Sequence, residues 1–390
     1  MKERTDIEFA NRQDKVRALM RQENLDAVLV CTNANVYYLA GRVFYGFVYI
    51  AAGGQTLYFV QRPVTAEGDN VVHIRKPEQI ADELKARGVD LPKRIGFELE
   101  GISYLEAMRY AKAFGDAEMA NCSAILSQAR AVKTDFEIER LRESGMRHCG
   151  SYRRIQGLYH EGMTDVELQI EIERVLRLDG CLGIFRIAGR SMELFMGNLL
   201  AGDNADVPSP YDFAMGGEGL DSSLPVGCSG SIIHTGNTVM IDMNGNFTGY
   251  MTDMTRTFYV GRLDAHAEKA HQLSIDIHKA LRTFMRPGVA AKDVYEKAAE
   301  MVSKAGEDAF FMGHRQHAGF VGHGVGIEVN EWPVLAPKSR HVLEAGNVVA
   351  IEPKFVIPGV GAVGVENTYV VTGNGLECLT PFPEEITELL

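Results

Sequence analysis

The sequence has no apolar run approaching the roughly twenty residues that cross a bilayer. Its first residues, MKERTDIEFANRQDK, are polar and lack the apolar core of a secretion signal. Basic charge is also in short supply. Forty Lys and Arg stand against 52 Asp and Glu, for a formal net charge of -12. Nucleic acids and anionic membranes are bound by basic faces, so neither is expected as a partner. The six cysteines (Cys31, Cys122, Cys149, Cys181, Cys228 and Cys378) show no Cys-x-x-Cys spacing. In a chain of this length they read as free thiols in a reducing compartment, and a cytoplasmic location is expected. Tryptophan occurs once, at Trp332.

What is present is the composition of a globular protein, with 46% hydrophobic and 24% charged residues. A chain of 390 residues exceeds one ordinary core, so two domains are expected. Up to about residue 125 the sequence alternates helix and strand patterns, including DAVLVC (26–31) and a hairpin with Gly53-Gly54 at its turn. After Ala131 the texture changes. Thr134-x-x-Glu137 and Thr164-x-x-Glu167 each have the form of a capping box opening a helix. Strands follow, then a second helix pair near 264–285 and 290–305, then strands again. The second helix of each pair follows a glycine, in EGMTDVELQ (161–169) and PGVAAKDVY (287–295). This double pattern suggests two related halves. The expected fold class is α/β: a small domain over 1–125, a linker at 126–133, and a larger domain over 134–390 with a pseudo-twofold repeat.

The stretch MIDMNGNFTGYMTDMTRTFYVG (240–261) reads as two strands, each carrying one aspartate between methionines. A symmetric hairpin centred at Phe247–Thr248 places Asp242 and Asp253 directly opposite on one face, with Cβ atoms roughly 4.5–5.5 Å apart. The arrangement recurs in IEPKFVIPGVGAVGVEN (351–367), where Glu352 and Glu366 flank a turn at Pro358-Gly359. Taken singly, a strand aspartate is more often a solvated surface residue. Two facing pairs among apolar neighbours need partners, and a bound cation reverses their mutual repulsion. His323, in VGHGVG, supplies a nitrogen where flanking glycines allow close backbone approach. Four carboxylates and one imidazole suit two divalent ions, with manganese, iron, cobalt or zinc all possible.

These five residues, and the stretches that hold them, resemble the metal-site motifs of the proline-specific aminopeptidases and dipeptidases. That pita-bread family includes methionine aminopeptidase and creatinase. LDAVLVCTNANVYYLAGR (25–42) is similar to the start of the amino-terminal domain of prolidases and creatinase, and AVKTDFEIERLRESG (131–145) to the helix opening the catalytic domain. The resemblance covers nearly the whole chain. It implies a small creatinase-like amino-terminal domain, a pita-bread catalytic domain and a homodimer. It also implies that Asp242, Asp253, His323, Glu352 and Glu366 are metal ligands, with Asp253 and Glu366 bridging. A hydroxide between the ions would attack a peptide or amide carbonyl, and Glu352 would shuttle the proton. Thr255 and Arg256 would orient the carboxylates.

The surroundings depart from the family pattern. Family histidines that hold the substrate carbonyl are replaced here by Val226, Gly319 and Asn330, and Gly364 stands where an arginine is common. Losing donors aimed at an oxyanion removes several kcal/mol of catalysis. Asn330 keeps one hydrogen-bond function, while His314 and His317, in MGHRQHAG, and Trp332 are the further candidates for substrate contact. Cys228 has no histidine partner and reads as structural. The Gly-, Pro- and Asp-rich segment 189–220 reads as a loop of the kind that lines sites. Three functions are therefore carried forward: a metal-dependent peptidase-like hydrolase, a relative redirected to a small non-peptide substrate, and a non-catalytic metal-binding protein.

Overall fold

The computed structural model describes residues 2–189, 194–211 and 213–389, apart from the side chains of 2–5. The chain divides into two compact units, Met1–Arg130 and Ala131–Leu390.

The first unit contains α1 (Lys2–Gln22), β1 (Ala27–Val30), α2 (Asn33–Ala40), β2 (Tyr45–Ala51), β3 (Thr56–Arg62) and β4 (Val71–His73). It continues with α3 (Ile80–Ala86), β5 (Arg94–Phe97), α4 (Tyr104–Ala113), β6 (Glu118–Asn121) and α5 (Ser123–Ala131). The strands form one sheet in the order β4-β3-β2-β1-β5-β6. The two hairpin pairings of β2 are antiparallel and the others parallel. All four residues of β1 are buried, as a central strand covered on both faces requires. Residues 126–131, which the sequence suggested as linker, are the last turns of α5. That helix is held within the unit: the Tyr38 hydroxyl donates to the Ala129 carbonyl at 3.0 Å, and Arg130 donates to Asn35 Oδ1 at 3.0 Å.

The second unit opens with α6 (Asp135–Tyr152), α7 (Asp165–Leu178), β7 (Gly197–Ala201), β8 (Thr238–Asn246) and β9 (Met251–Tyr259). Then come α8 (Ala265–Phe284), α9 (Ala291–Ala305), β10 (Gly322–Gly324), β11 (Glu331–Leu335) and β12 (Val348–Ile351). The remainder is β13 (Lys354–Ile357), β14 (Gly361–Gly364), β15 (Asn367–Thr372), β16 (Gly375–Cys378) and β17 (Thr387–Glu388). A helix pair followed by a sheet thus occurs twice. Both capping boxes form: Thr134 N donates to Glu137 at 3.0 Å, Thr164 N donates to Glu167 at 2.8 Å, and each threonine hydroxyl accepts in return. Gly162 and Gly288, just before the second helix of each pair, have φ of 88° and 92°, a region that glycine enters freely. Helices of this length are marginal alone, so burial decides. Leu168, Ile172, Val175 and Leu176 of α7 are each at most 1% exposed. Each such side chain contributes roughly 1.5–3 kcal/mol.

The first sheet runs β17-β9-β8-β7 and the second β11-β10-β12-β15-β16, with β13-β14 a separate ladder. The β8–β9 register differs from the symmetric hairpin inferred above. Asp242 faces Thr255, and Asn244 faces Asp253. The turn centres one residue later, at Thr248–Gly249, because Gly249, at φ 85°, takes the left-handed corner and donates to Asn246 Oδ1 at 3.1 Å. The two aspartates keep a common face but are diagonal, which for a sheet means roughly 7–8 Å between positions. The other pairing holds. β12 with β15 and β13 with β14 share one register, so Glu352 and Glu366 fall opposite each other in the gap between two ladders of one long hairpin. The segment 189–220 is only partly loop, since it contains β7. Its residues 190–193 and 212 lie outside the described residues.

Candidate metal centre

Strand alternation turns Asp242 of β8 and Asp253 of β9 toward one cavity, whose lining also includes His323, Glu352 and Glu366. The cavity measures about 220 Å³ and its walls are largely apolar: Phe185, Ile187, Phe213, Met215, Phe320 and Val329. The five residues expected to bind metal are therefore brought together. His323 lies on β10, and its Nδ1 is 3.1 Å from the Gly324 carbonyl. A carbonyl only accepts, so Nδ1 carries the proton and Nε2 faces the carboxylates. Nε2 is 3.3 Å from Glu352 Oε1 and 4.0 Å from Asp253 Oδ2.

A sixth residue, not expected from the sequence, joins these five. Lys354, the first residue of β13, has no exposed surface. Its ammonium donates to Asp242 Oδ2 at 2.8 Å, Glu352 Oε2 at 2.7 Å and Glu366 Oε2 at 3.2 Å. The available signal was a lone lysine heading an otherwise apolar strand, on the same face as Glu352 two residues before it. Asn198 was also missed. It sits opposite Asp242 on β7, lines the cavity, and has a buried Oδ1 with no donor among the described residues.

Burial opposes charge throughout this cluster, and its neighbours decide the outcome. Burial and the carboxylates of Glu366, Asp242 and Glu352 push Asp253 well above the usual range. Burial and Glu352 likewise push Glu366 up to about 8. For Glu352 burial acts upward, but Lys354 and His323 outweigh it and hold the carboxyl down to about 2. His323 is raised to about 9, because Glu352 outweighs the burial that would lower it. Lys354 is raised further still, since its three carboxylates outweigh burial. Two carboxyl groups displaced upward in one cluster mark a shortage of positive charge, which a divalent cation would supply.

The Thr255 hydroxyl donates to Glu366 Oε2 at 2.7 Å and so fixes that carboxylate. Arg256 is buried and, among the described residues, pairs with no carboxylate. Its five N–H groups go to the carbonyls of Thr255, Glu366, Phe382 and Pro383 and to Asn367 Oδ1, at 2.6–2.8 Å. It acts on the backbone that carries Glu366. Asn330 lines the cavity, but its amide is engaged with the Ala188 backbone: Oδ1 accepts at 2.8 Å and Nδ2 donates at 2.7 Å. Trp332, His314 and His317 are not in the cavity lining among the described residues. Trp332 packs on His341, with ring centroids 4.7 Å apart. His314 Nδ1 lies 2.9 Å from Asp206 Oδ2, and His317 Nδ1 lies 2.8 Å from the Phe311 carbonyl. Val226 is buried away from the cavity lining, and a Cβ added at Gly319 would meet open space. The Cys228 thiol is buried and donates to Gln169 Oε1 at 2.9 Å, and burial raises its pKa.

Residues 139–373 match the model of metallopeptidase family M24, and residues 12–132 match that of the creatinase/prolidase N-terminal domain. An uncharacterized peptidase of Bacillus subtilis is 27% identical over 382 residues, covering 96% of this chain and 98% of its own. A Xaa-Pro dipeptidase of Pyrococcus horikoshii is 26% identical over 377 residues, covering 95% and 97%. Among solved structures, a Xaa-Pro dipeptidase from Bacillus anthracis superposes with a TM-score of 0.81 at 24% identity, covering 98% of this chain and all of its own. At that identity the likeness shows the fold. No helix among the described residues is long and apolar enough to cross a membrane.

Proposed function

The chain belongs to metallopeptidase family M24, and from that premise we propose that it is a metal-dependent hydrolase of a C–N bond in a small peptide or amide. One observation carries the reading. Glu366 Oε1 is buried and has no hydrogen-bond partner among the described residues, while ligand atoms of Asp253, His323 and Glu366 lie within 4.8 Å of one another. An orphaned carboxylate oxygen beside an imidazole nitrogen and a second carboxylate fits a divalent cation, with manganese, cobalt, zinc or iron suited to the donors. A cation bound there supplies Lewis acidity and lowers the pKa of water.

The rest of the chemistry belongs to the chain. Glu352 reaches the cavity with its Oε2 held by Lys354 and its Oε1 3.3 Å from His323 Nε2, an anchored carboxylate in reach of a leaving nitrogen's proton. Asn198 lines the cavity beside Asp242 and adds an amide to its polar end. The apolar walls exclude water and favour an uncharged substituent. A volume of about 220 Å³ is below the ~300–1,000 Å³ of sites for drug-sized ligands, which restricts the substrate to a small molecule. The named relatives support an Xaa-Pro peptide. A second reading, a small non-peptide amide, is favoured by the absence of imidazole at Val226, Gly319 and Asn330 and by the engagement of Asn330 with Ala188. The homodimer and the cytoplasmic location rest on resemblance and composition.

Hydrolysis of Ala-Pro, Met-Pro and Xaa-Pro-Xaa peptides by manganese-, cobalt- and zinc-loaded protein tests the proposal, with Asp253→Ala as control. Turnover by the wild type alone supports a prolyl peptidase. Turnover of other small amides alone supports the second reading. Undiminished turnover after exhaustive chelation would refute both.

A further inference from the structure

The four carboxylates and His323 offer two sets of ligand atoms close enough to share an ion: Asp253, His323 and Glu366 in one, and Asp242, Glu352 and Glu366 in the other. These sets differ in what already fills them. The second comprises the three carboxylates that receive the Lys354 ammonium, at 2.8, 2.7 and 3.2 Å. An ammonium has three N–H donors, and all three are used. The first set keeps the orphaned Glu366 Oε1, a His323 Nε2 that lies 3.3 Å from Glu352 Oε1, and an Asp253 carboxylate whose cationic partner among the described residues is that same Nε2, at 4.0 Å and beyond hydrogen-bond reach. The residues therefore fit one divalent ion and do not fit two. We propose that this centre holds a single divalent cation, at Asp253, His323 and Glu366, and that the Lys354 ammonium permanently takes the second cation position. The inference rests on the metal-centre reading above and revises the pair of ions expected from the sequence.

Several physical arguments favour it. Lys354 lies at the start of a strand whose four residues are all buried, and its side chain is completely enclosed. Expelling that ammonium would strip it of three charge-assisted hydrogen bonds and demand a new buried partner. Nor is there a compensating need for a second ion. A cation already neutralises part of the charge on Asp242, Glu352 and Glu366, and a divalent ion added beside it would be repelled at close range. The lysine also offers something that an exchangeable ion does not. It is covalently fixed, so the orientation of Glu352 persists at any metal concentration.

Metal stoichiometry tests the proposal directly. Purified full-length protein is stripped, equilibrated with excess Mn²⁺, freed of unbound ion, and assayed by elemental analysis. The same sample is examined by electron paramagnetic resonance, where an isolated Mn²⁺ differs from an exchange-coupled pair. The expected result is one ion per chain with the isolated-ion spectrum. Asp253→Asn should lose it, whereas Asp242→Asn, which alters only the lysine's set, should retain it. Lys354→Met removes the ammonium and should raise the count to two, with a coupled spectrum. Two tightly bound ions in the wild type, or none, would overturn the proposal. So would loss of an ion from Asp242→Asn. Should Lys354→Met fail to fold, the wild-type and Asp242→Asn counts still decide. Peptide turnover is a separate outcome: a one-ion protein that hydrolyses no amide would refute the functional proposal and leave this one standing.

Discussion

Replacing His278 by glutamine removes one titrating group from the interior of the second unit. His278 lies on α8 with no exposed surface. Its Nε2 is 2.9 Å from the Val365 carbonyl and its Nδ1 is 2.9 Å from the Tyr369 hydroxyl. That hydroxyl receives N–H groups from Arg282, at 3.1 and 3.2 Å, and from Asn367, at 3.2 Å. Those neighbours only donate, so the tyrosine's own proton goes to Nδ1 and the imidazole is neutral with its proton on Nε2. Burial, assisted by the charge of Arg282, lowers its pKa from 6.5 to about 3. The folded value is depressed, so below the unfolded value the unfolded chain takes up a proton that the fold refuses. Stability is present above pH 6.5 and is lost as pH falls from there toward 3. Each unit is worth about 1.36 kcal/mol, so this group alone withdraws about 2 kcal/mol by pH 5. Urea unfolding in the presence of chelator, followed by the fluorescence of the sole tryptophan, Trp332, reports on the second unit. The difference in stability between wild type and His278→Gln cancels every other titrating group. It should shrink by about 2 kcal/mol between neutral pH and pH 5. Parallel pH curves for the two proteins would refute the assignment of a buried neutral imidazole.

Two buried contacts give further predictions. Lys133 and Glu331 form an ion pair at 3.0 Å with both side chains almost fully enclosed, so Lys133→Met should cost about 3–5 kcal/mol in denaturant unfolding. Arg142→Met, which breaks a half-exposed pair with Glu377, should cost under about 1 kcal/mol, and equal losses for the two would contradict the role of burial. Thr255→Val removes the hydroxyl that fixes Glu366 Oε2 and should weaken Mn²⁺ binding by about 10–100-fold in calorimetric titration. Unchanged affinity would mean that Thr255 does not orient a ligand.

Much of this architecture is legible in the sequence where a local rule has one solution. The threonine caps at Thr134 and Thr164 are local devices, and both form. Pro358-Gly359 admits one turn centre, so the facing of Glu352 and Glu366 follows. NGNFTG admits several, and the choice fell to the pairing of Asn246 with Gly249, which moved Asp253 from opposite Asp242 to its diagonal. The strand GNLLA was hidden because its glycine and the following Gly-Asp-Asn read as loop, and strand identity there depends on pairing with β8. The positions of His314 and His317 could not be read locally. Asp206 and the Phe311 carbonyl, which take their ring nitrogens, are fixed by tertiary structure. Lys354 was legible as a lysine but not as a cation inside the cluster. Its role depends on three carboxylates drawn from two hairpins.

The pairing of Asn330 with Ala188 has a kinetic side. A side-chain amide presents one donor and one acceptor, and here it matches both polar groups of a single backbone residue, as an added strand would. One further bond, from Val329 N to the Arg186 carbonyl at 2.8 Å, ties the same stretch. Phe185 and Ile187 of that stretch form part of the cavity wall. Swinging this wall outward breaks all three of these bonds, worth about 0.5–1.5 kcal/mol each. Together they hold an opened population to between about one molecule in ten and one in two thousand.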